Sequence, residues 1–251
     1  MSYKEIEKMS LHELLEYTGG ILDKSGEGEA AHKICFNHPL ERYLYEYWND
    51  CSSDSYEIMS EPLGAALKLE GEKYMSTGQY ESATEAYGQA CNAAPADVEA
   101  AFGKAGACRA QGRWEQMREC MKNAYGYIFS RTDIAQYYRY MGCYELEMYH
   151  PDTALALYRY SNLFSHSDTA DSEIDFLKKA GTDMREMDSG ELKNVIKKTD
   201  IPLQPDPASI GLAYRVGRLA LENGSREYGM TLIKCVYELT GDSEAGELLR
   251  G

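Results

Sequence analysis

Three residues in this chain have metal-ligand chemistry at regular spacing: His32, Cys35 and His38. Imidazole nitrogen and thiolate sulfur suit zinc, and intervals of three residues would bring all three to one face of a single helix. Pro39 argues against that helix. Proline favours the first helical turn, so a helix opening at His38 would separate it from the other two. No CxxC or second histidine pair completes a four-ligand set. A metal-dependent enzyme built on His32, Cys35 and His38 is therefore the weaker alternative, and no metal and no cofactor are expected. P-loop, Rossmann and serine-nucleophile motifs are absent. Acidic pairs are too frequent in so acidic a chain to mark a catalytic dyad. The sequence predicts a protein that is not an enzyme.

The stronger pattern belongs to the elements that would carry any site. Turn signals recur at Gly78-Gln79-Tyr80, Gly112-Arg113-Trp114, Tyr149-His150-Pro151 and Gly224-Ser225-Arg226. Their steps are 34 residues (78 to 112), 37 (112 to 149) and 75 (149 to 224), the last being two units with a degenerate turn near Asp188-Ser189-Gly190. Small or apolar residues spaced four and three apart precede each turn, as in Leu67/Gly71/Tyr74 and Tyr138/Gly142/Glu145. They also follow it, as in Ala83/Tyr87/Ala90 and Gly229/Ile233/Val236. Such residues share one helical face. Glycine inside a helix costs about 1 kcal/mol against alanine, so Gly71, Gly142 and Gly217 predict close helix–helix approach.

In this pattern the chain resembles the tetratricopeptide repeat (TPR) family. The residues that carry the resemblance are Leu67-x3-Gly71-x2-Tyr74 and Gly78-x-Tyr80-x2-Ala83-x3-Tyr87-x2-Ala90-x4-Pro95. Units are expected at 64–97, 98–131, 135–168, a degenerate 172–207, and 210–243. They form an array over 61–251, with 1–60 a helical N-terminal cap or a diverged hairpin. Glu145 stands where an aromatic is usual, and Gly229 where alanine is. The resemblance implies an all-α fold, a right-handed superhelix of stacked antiparallel helical hairpins. It implies a noncatalytic protein–protein interaction module, an adaptor or scaffold that binds a peptide or protein segment in a concave groove of first helices. Carried onto this chain, the groove residues are Lys68, Glu72, Met75, Phe102, Arg109, Gln136, Arg139, Tyr214 and Arg218. Some members clamp a terminal carboxylate with lysine and asparagine. Lys68 matches the lysine, but Glu72 stands at the asparagine position and would repel a carboxylate. A secretion or assembly chaperone is the alternative, favoured if Phe102, Tyr214, Met75 and Leu221 make an apolar groove.

Composition narrows the partners. Net charge is −15, which disfavours nucleic acid and anionic membranes and leaves a protein or peptide partner. Seven cysteines without CxxC, and no apolar leader at the start, give a cytoplasmic expectation. Nine of the 21 tyrosines lie between Tyr125 and Tyr160, where half-exposed rings with wet hydroxyls are expected. Helices are predicted over about 4–17, over Ala30–Phe36 and from His38-Pro39 to Tyr47 or Trp48. Ser60 is a candidate helix cap and Ser172-x-x-Asp175 a candidate capping box. Ile201–Pro207 reads as an extended connection, and Asp242–Arg250 as a short terminal helix over the last apolar surface.

Overall fold

The computed structural model describes residues 3–25, 33–183 and 185–250. The chain is all-α apart from one two-stranded bridge, and it divides into two compact units, Met1–Cys120 and Met121–Gly251.

The first unit opens with α1 (Tyr3–Ile6), α2 (Leu11–Ser25), strand β1 (Lys33–Ile34), α3 (Pro39–Trp48) and strand β2 (Glu57–Ile58). It continues with α4 (Leu63–Ser76), α5 (Tyr80–Ala93) and α6 (Val98–Ala110), and α7 (Trp114–Ala124) crosses the division. The second unit holds α8 (Arg131–Glu147), α9 (Pro151–Phe164), α10 (Asp168–Lys179), α11 (Ser189–Ile196), α12 (Pro207–Glu222), α13 (Arg226–Thr240) and α14 (Ser243–Leu248). Successive pairs α4–α5, α8–α9 and α12–α13 pack as antiparallel hairpins.

The small residues hold these pairs together. A Cβ on Gly71 would lie 2.8 Å from ring carbons of Tyr87, and Gly103 meets the same ring still more closely. Gly142 faces Tyr158 at 3.2 Å, and Gly217 faces Leu232 and Ile233 at 3.1 Å. The turn glycines Gly78, Gly112 and Gly224 take φ of +74°, +67° and +80°, the left-handed conformation that costs glycine least. Tyr149 occupies the matching position with φ +63° and is fully out in solvent. Glu145 departs from the family pattern for a visible reason: its buried carboxylate meets His150 Nδ1 at 2.8 Å and ties this glycine-free turn down.

Several local expectations are corrected. Lys33–Ile34 is a strand, not part of a helix over Ala30–Phe36, because it pairs in parallel with Glu57–Ile58 and Cys35 N–H donates to Ala93 O at 2.7 Å; residues 30–32 lie outside the described residues. The single helix expected over about 4–17 is two, α1 and α2, and α2 continues through Gly19 and Gly20 to Ser25. Ser60 bonds to Glu61, and Pro62 precedes α4 instead. Ser172 sits inside α10, donating to Asp168 O; the true capping box is Asp188 with Glu191 at the start of α11. The tyrosines at 137, 138, 158 and 160 are buried rather than half-exposed: Tyr137, Tyr138, Tyr160 and Phe164 contact ring to ring with centroids 5.0–5.6 Å apart in the Tyr138 group, and Tyr158 packs against Gly142 and with Ala154, Leu155, Ala170 and Leu177. No helix among the described residues is long and apolar enough to cross a membrane.

Candidate functional site

In the first unit Lys68 is already satisfied. Its Nζ lies 2.6 Å from Glu99 Oε2 and 3.1 Å from Asp97 Oδ2. Burial works against its charge, but the two carboxylates overcome it and hold the amine above its ordinary value. Asp97 is itself buried and caps α6, its Oδ1 accepting from the N–H groups of Glu99 and Ala100. Asn37 Nδ2 donates to Asp97 Oδ2 and to Glu41 Oε1, both at 3.1 Å. Glu41 also accepts from the Asn37 N–H at 2.6 Å, and burial pushes its carboxyl up to about 7. This chain of contacts ties the segment before α3 to α4 and α6.

Phe102 is only 4% exposed. Helix α6 packs on both α4 and α5, so its buried face is wider than one hairpin seam requires, and Phe102 falls within it. Met75 packs against Ala83, Tyr87 and Ala107. Lys68 is thus held by charge compensation, Phe102 is buried, and Met75 is half-buried against its neighbours. Glu72 and Arg109 are exposed.

In the second unit Gln136 is half-buried, and Arg139 Nη1 donates to the Ser165 carbonyl at 3.2 Å. Arg139 is thus engaged by the end of α9. Tyr214 and Arg218 are arranged differently. Together with Leu221 on α12, Arg226 and Met230 on α13, and Glu247 on α14, they line a cleft of about 740 Å³. A second cleft of about 390 Å³ is walled by Pro205, Pro207, Ile210, Val236 and Leu239. Tyr214 and Glu244 line both. The Tyr214 hydroxyl donates to Glu244 Oε2 at 3.0 Å, so this one hydrogen bond is a shared wall. Burial first, and then the neighbouring carboxylate, push the Tyr214 phenol up. One cleft is mixed in charge, with Arg218 and Arg226 against Glu244 and Glu247. The other is apolar with Asp242 and Glu244 at its edge.

Sequence reasoning named Tyr214 and Arg218 and missed the proline wall, Val236, Leu239 and the acids of α14. The signal was present in Pro205 and Pro207, whose fixed φ makes rigid apolar surface as readily as an extended connection.

The proposed metal ligands do not form a described site. His32 lies outside the described residues. Cys35 is buried, its sulfur 3.7 Å from Met59 Sδ and 3.5 Å from Glu61 O, whereas His38 Nε2 lies 3.5 Å from Glu41 Oε1. Among the described residues, the group with ligand atoms all within 4.8 Å of one another is His166, Asp168 and Asp171, all exposed.

No protein-family model matches the sequence, and no curated protein matches it. Several solved structures superpose on it. The Sgt2 TPR domain from Aspergillus fumigatus is 21% identical over 51% of this chain and 91% of its own, with a TM-score of 0.41. YrrB, a TPR protein described as having an unusual peptide-binding site, is 12% identical over 85% of this chain and 98% of its own, with a TM-score of 0.39. Pseudomonas aeruginosa pilF is 13% identical over 99% of this chain and 98% of its own, with a TM-score of 0.43. The glycine–aromatic hairpins described above, with the motif from Leu67 to Pro95, identify the fold of this chain as TPR-like.

Proposed function

We propose that this chain is a noncatalytic interaction module that holds an extended peptide segment across the two clefts of α12, α13 and α14. The observation that supports it is the wall shared by both clefts, Tyr214 bonded to Glu244. An apolar slot beside a mixed-charge slot suits one nonpolar anchor residue with a charged neighbour. Aromatic and arginine side chains at the centre of such a site carry most of the binding energy. A cleft formed before binding lowers the ordering cost. The net charge of −15 favours a segment that is basic overall. The chaperone reading loses Phe102 as a lining residue, since that ring lies in the core.

Selection of a displayed random-peptide library on the full chain tests this, with affinities then measured by fluorescence anisotropy. Selected peptides carry an apolar anchor next to a basic residue. Tyr214→Ala weakens them by about tenfold or more, as expected for a central aromatic, Arg218→Ala weakens them less, and Arg109→Ala, exposed in the first unit, leaves them unchanged. A selection that enriches nothing, or peptides indifferent to Tyr214→Ala in a folded variant, overturns the reading.

A further inference from the structure

A third cleft of about 620 Å³ opens in the second unit, lined by Lys193 and Lys197 of α11, residues 199–204 and Tyr160 of α9. Helix α11 buries Leu192 and Ile196 and leaves Lys193 and Lys197, four residues apart, exposed at the cleft. Neither lysine makes an ion pair among the described residues, although acids outnumber bases 41 to 26 in the chain. The one acid in the lining, Asp200, is met by Lys122 Nζ at 3.2 Å, so the cleft keeps the positive charge of its two lysines. Nor are those lysines needed to cap their own helix. Ile196 O accepts from the Thr199 N–H and, at 2.6 Å, from its hydroxyl, while Lys193 O and Val195 O accept from the N–H groups of Lys197 and Lys198.

The wall opposite α11 is pinned. The Tyr160 hydroxyl donates to Leu203 O and the Tyr125 hydroxyl to Gln204 O, each at 2.7 Å. Gln204 lines both this cleft and the apolar one, just as Tyr214 and Glu244 line both the apolar and the mixed-charge cleft. The apolar cleft is therefore the middle one of three. We propose that the lysine cleft is a further subsite, which takes the side-chain carboxylate of an Asp or Glu in the bound segment; this rests on the reading that a segment lies across the other two clefts. The apolar anchor fills the middle cleft, the basic residue faces Glu244 and Glu247 on one side, and the acid meets Lys193 and Lys197 on the other. Ammonium groups bind carboxylates through charge-assisted hydrogen bonds. Opposite charge preferences at the two ends fix the direction in which the segment runs. The net charge of −15 still disfavours a segment acidic throughout, so the subsite selects one acid in a basic context.

The test selects the displayed peptide library in parallel on the full chain and on the full chain carrying Lys193→Gln and Lys197→Gln, with the folding of each variant checked by circular dichroism. Peptides from the unchanged chain carry an Asp or Glu at a constant distance from the apolar anchor, on the side away from the basic residue. Those from the double variant keep the anchor and lose the acid. Replacing the acid by its amide weakens binding to the unchanged chain by about fivefold, the scale of exposed lysine–carboxylate pairs, and leaves binding to the double variant unaltered. Lys198→Gln removes the same charge outside the cleft lining and leaves affinity unchanged. Anchored peptides without a placed acid overturn the proposal and leave the two-cleft site standing. Acid-bearing peptides indifferent to Lys193 and Lys197, or weakened equally by Lys198→Gln, overturn it as well. Acid-bearing peptides that need both lysines but not Tyr214 sustain the lysine subsite and overturn the two-cleft reading, and a selection that enriches nothing overturns both.

Discussion

Hairpins α4–α5 and α12–α13 bring two helices together with glycine, yet they fill the contact differently. In the first, the Tyr87 ring is wedged against Gly71 and Gly103, so one aromatic side chain closes the seam within α4–α5 and the seam to α6. In the last, Gly217 sits under Leu232 and Ile233, and Gly229 lies so close that an added Cβ would be 2.8 Å from the Gly217 carbonyl oxygen. One seam is made of a ring, the other of backbone against backbone. The ring seam puts its stability in a single side chain. The backbone seam spreads it over aliphatic neighbours and makes it sensitive to adding atoms rather than to removing them.

The largest expected effect is therefore Tyr87→Ala. It empties the wedge shared by α4, α5 and α6 and costs about 3–5 kcal/mol, the range for deleting a buried aromatic. Ile233→Ala costs less, about 2–3 kcal/mol, since Leu232 still covers Gly217. Urea unfolding of both variants measures the difference. A larger loss for Ile233→Ala than for Tyr87→Ala would reverse the comparison.

The two regions also differ in charge. The first is held by the buried Lys68–Asp97–Asn37–Glu41 chain, whereas the pairs on α12 and α13, Arg218–Glu222 and Lys234–Glu238, are exposed. Glu41, with its carboxyl pushed up to about 7 chiefly by burial, binds a proton more tightly folded than unfolded. Its contribution is complete below the ordinary value of about 4.5 and is lost as pH rises through about 7. A shift of that size is about 3 kcal/mol, on the scale of about 1.4 kcal/mol per pH unit. Hydrogen exchange between pH 5 and 8 should show protection in α3, α4 and α6 falling with pH, α12 and α13 unaffected. Glu41→Gln should flatten the dependence. A slope shared equally by α12 and α13 would assign it to some other group.

The same contrast explains what the sequence made legible. The Gly71–Tyr87 pair is written as two residue types at fixed spacing, so the first hairpin and its left-handed turn at Gly78 read directly. The turn at Tyr149 lacks glycine yet still reads from the spacing of Tyr149-His150-Pro151; Tyr149 takes the left-handed φ of +63° itself, and the Glu145–His150 contact closes over it. The site was less legible. Phe102 and Lys68 lie one position off the hairpin seam and looked free, but α6 packs on α4 as well as α5, and the acids that neutralise Lys68 lie about 30 residues away in sequence, a separation no local periodicity encodes. Tyr214 and Arg218, named by repeat position, line the mixed-charge cleft. The proline wall was not named, because periodicity says nothing of a rigid segment folding back onto its own hairpin.

The sharpest small effect is at Gly229. Alanine gains about 1 kcal/mol of helix propensity in α13. Its Cβ must also find room 2.8 Å from the Gly217 carbonyl oxygen and from Leu221 Cγ and Cδ2. Leu221 can swing, but the carbonyl is backbone, so α12 and α13 must separate, at about 1–3 kcal/mol for overpacking. The net loss in Gly229→Ala is about 0–2 kcal/mol, the balance of these two. Gly211→Ala, on the same hairpin, is the control: nothing lies within 4 Å of the Cβ it would add, and it should be neutral or stabilising. Leu221 also lines the mixed-charge cleft, so Gly229→Ala should weaken peptide binding through a residue that touches no peptide. Thermal melts of the two glycine variants, with anisotropy on the same samples, separate the effects. Equal melting temperatures would mean that the backbone seam is slack, and the comparison between the two hairpins would then reduce to the presence or absence of Tyr87.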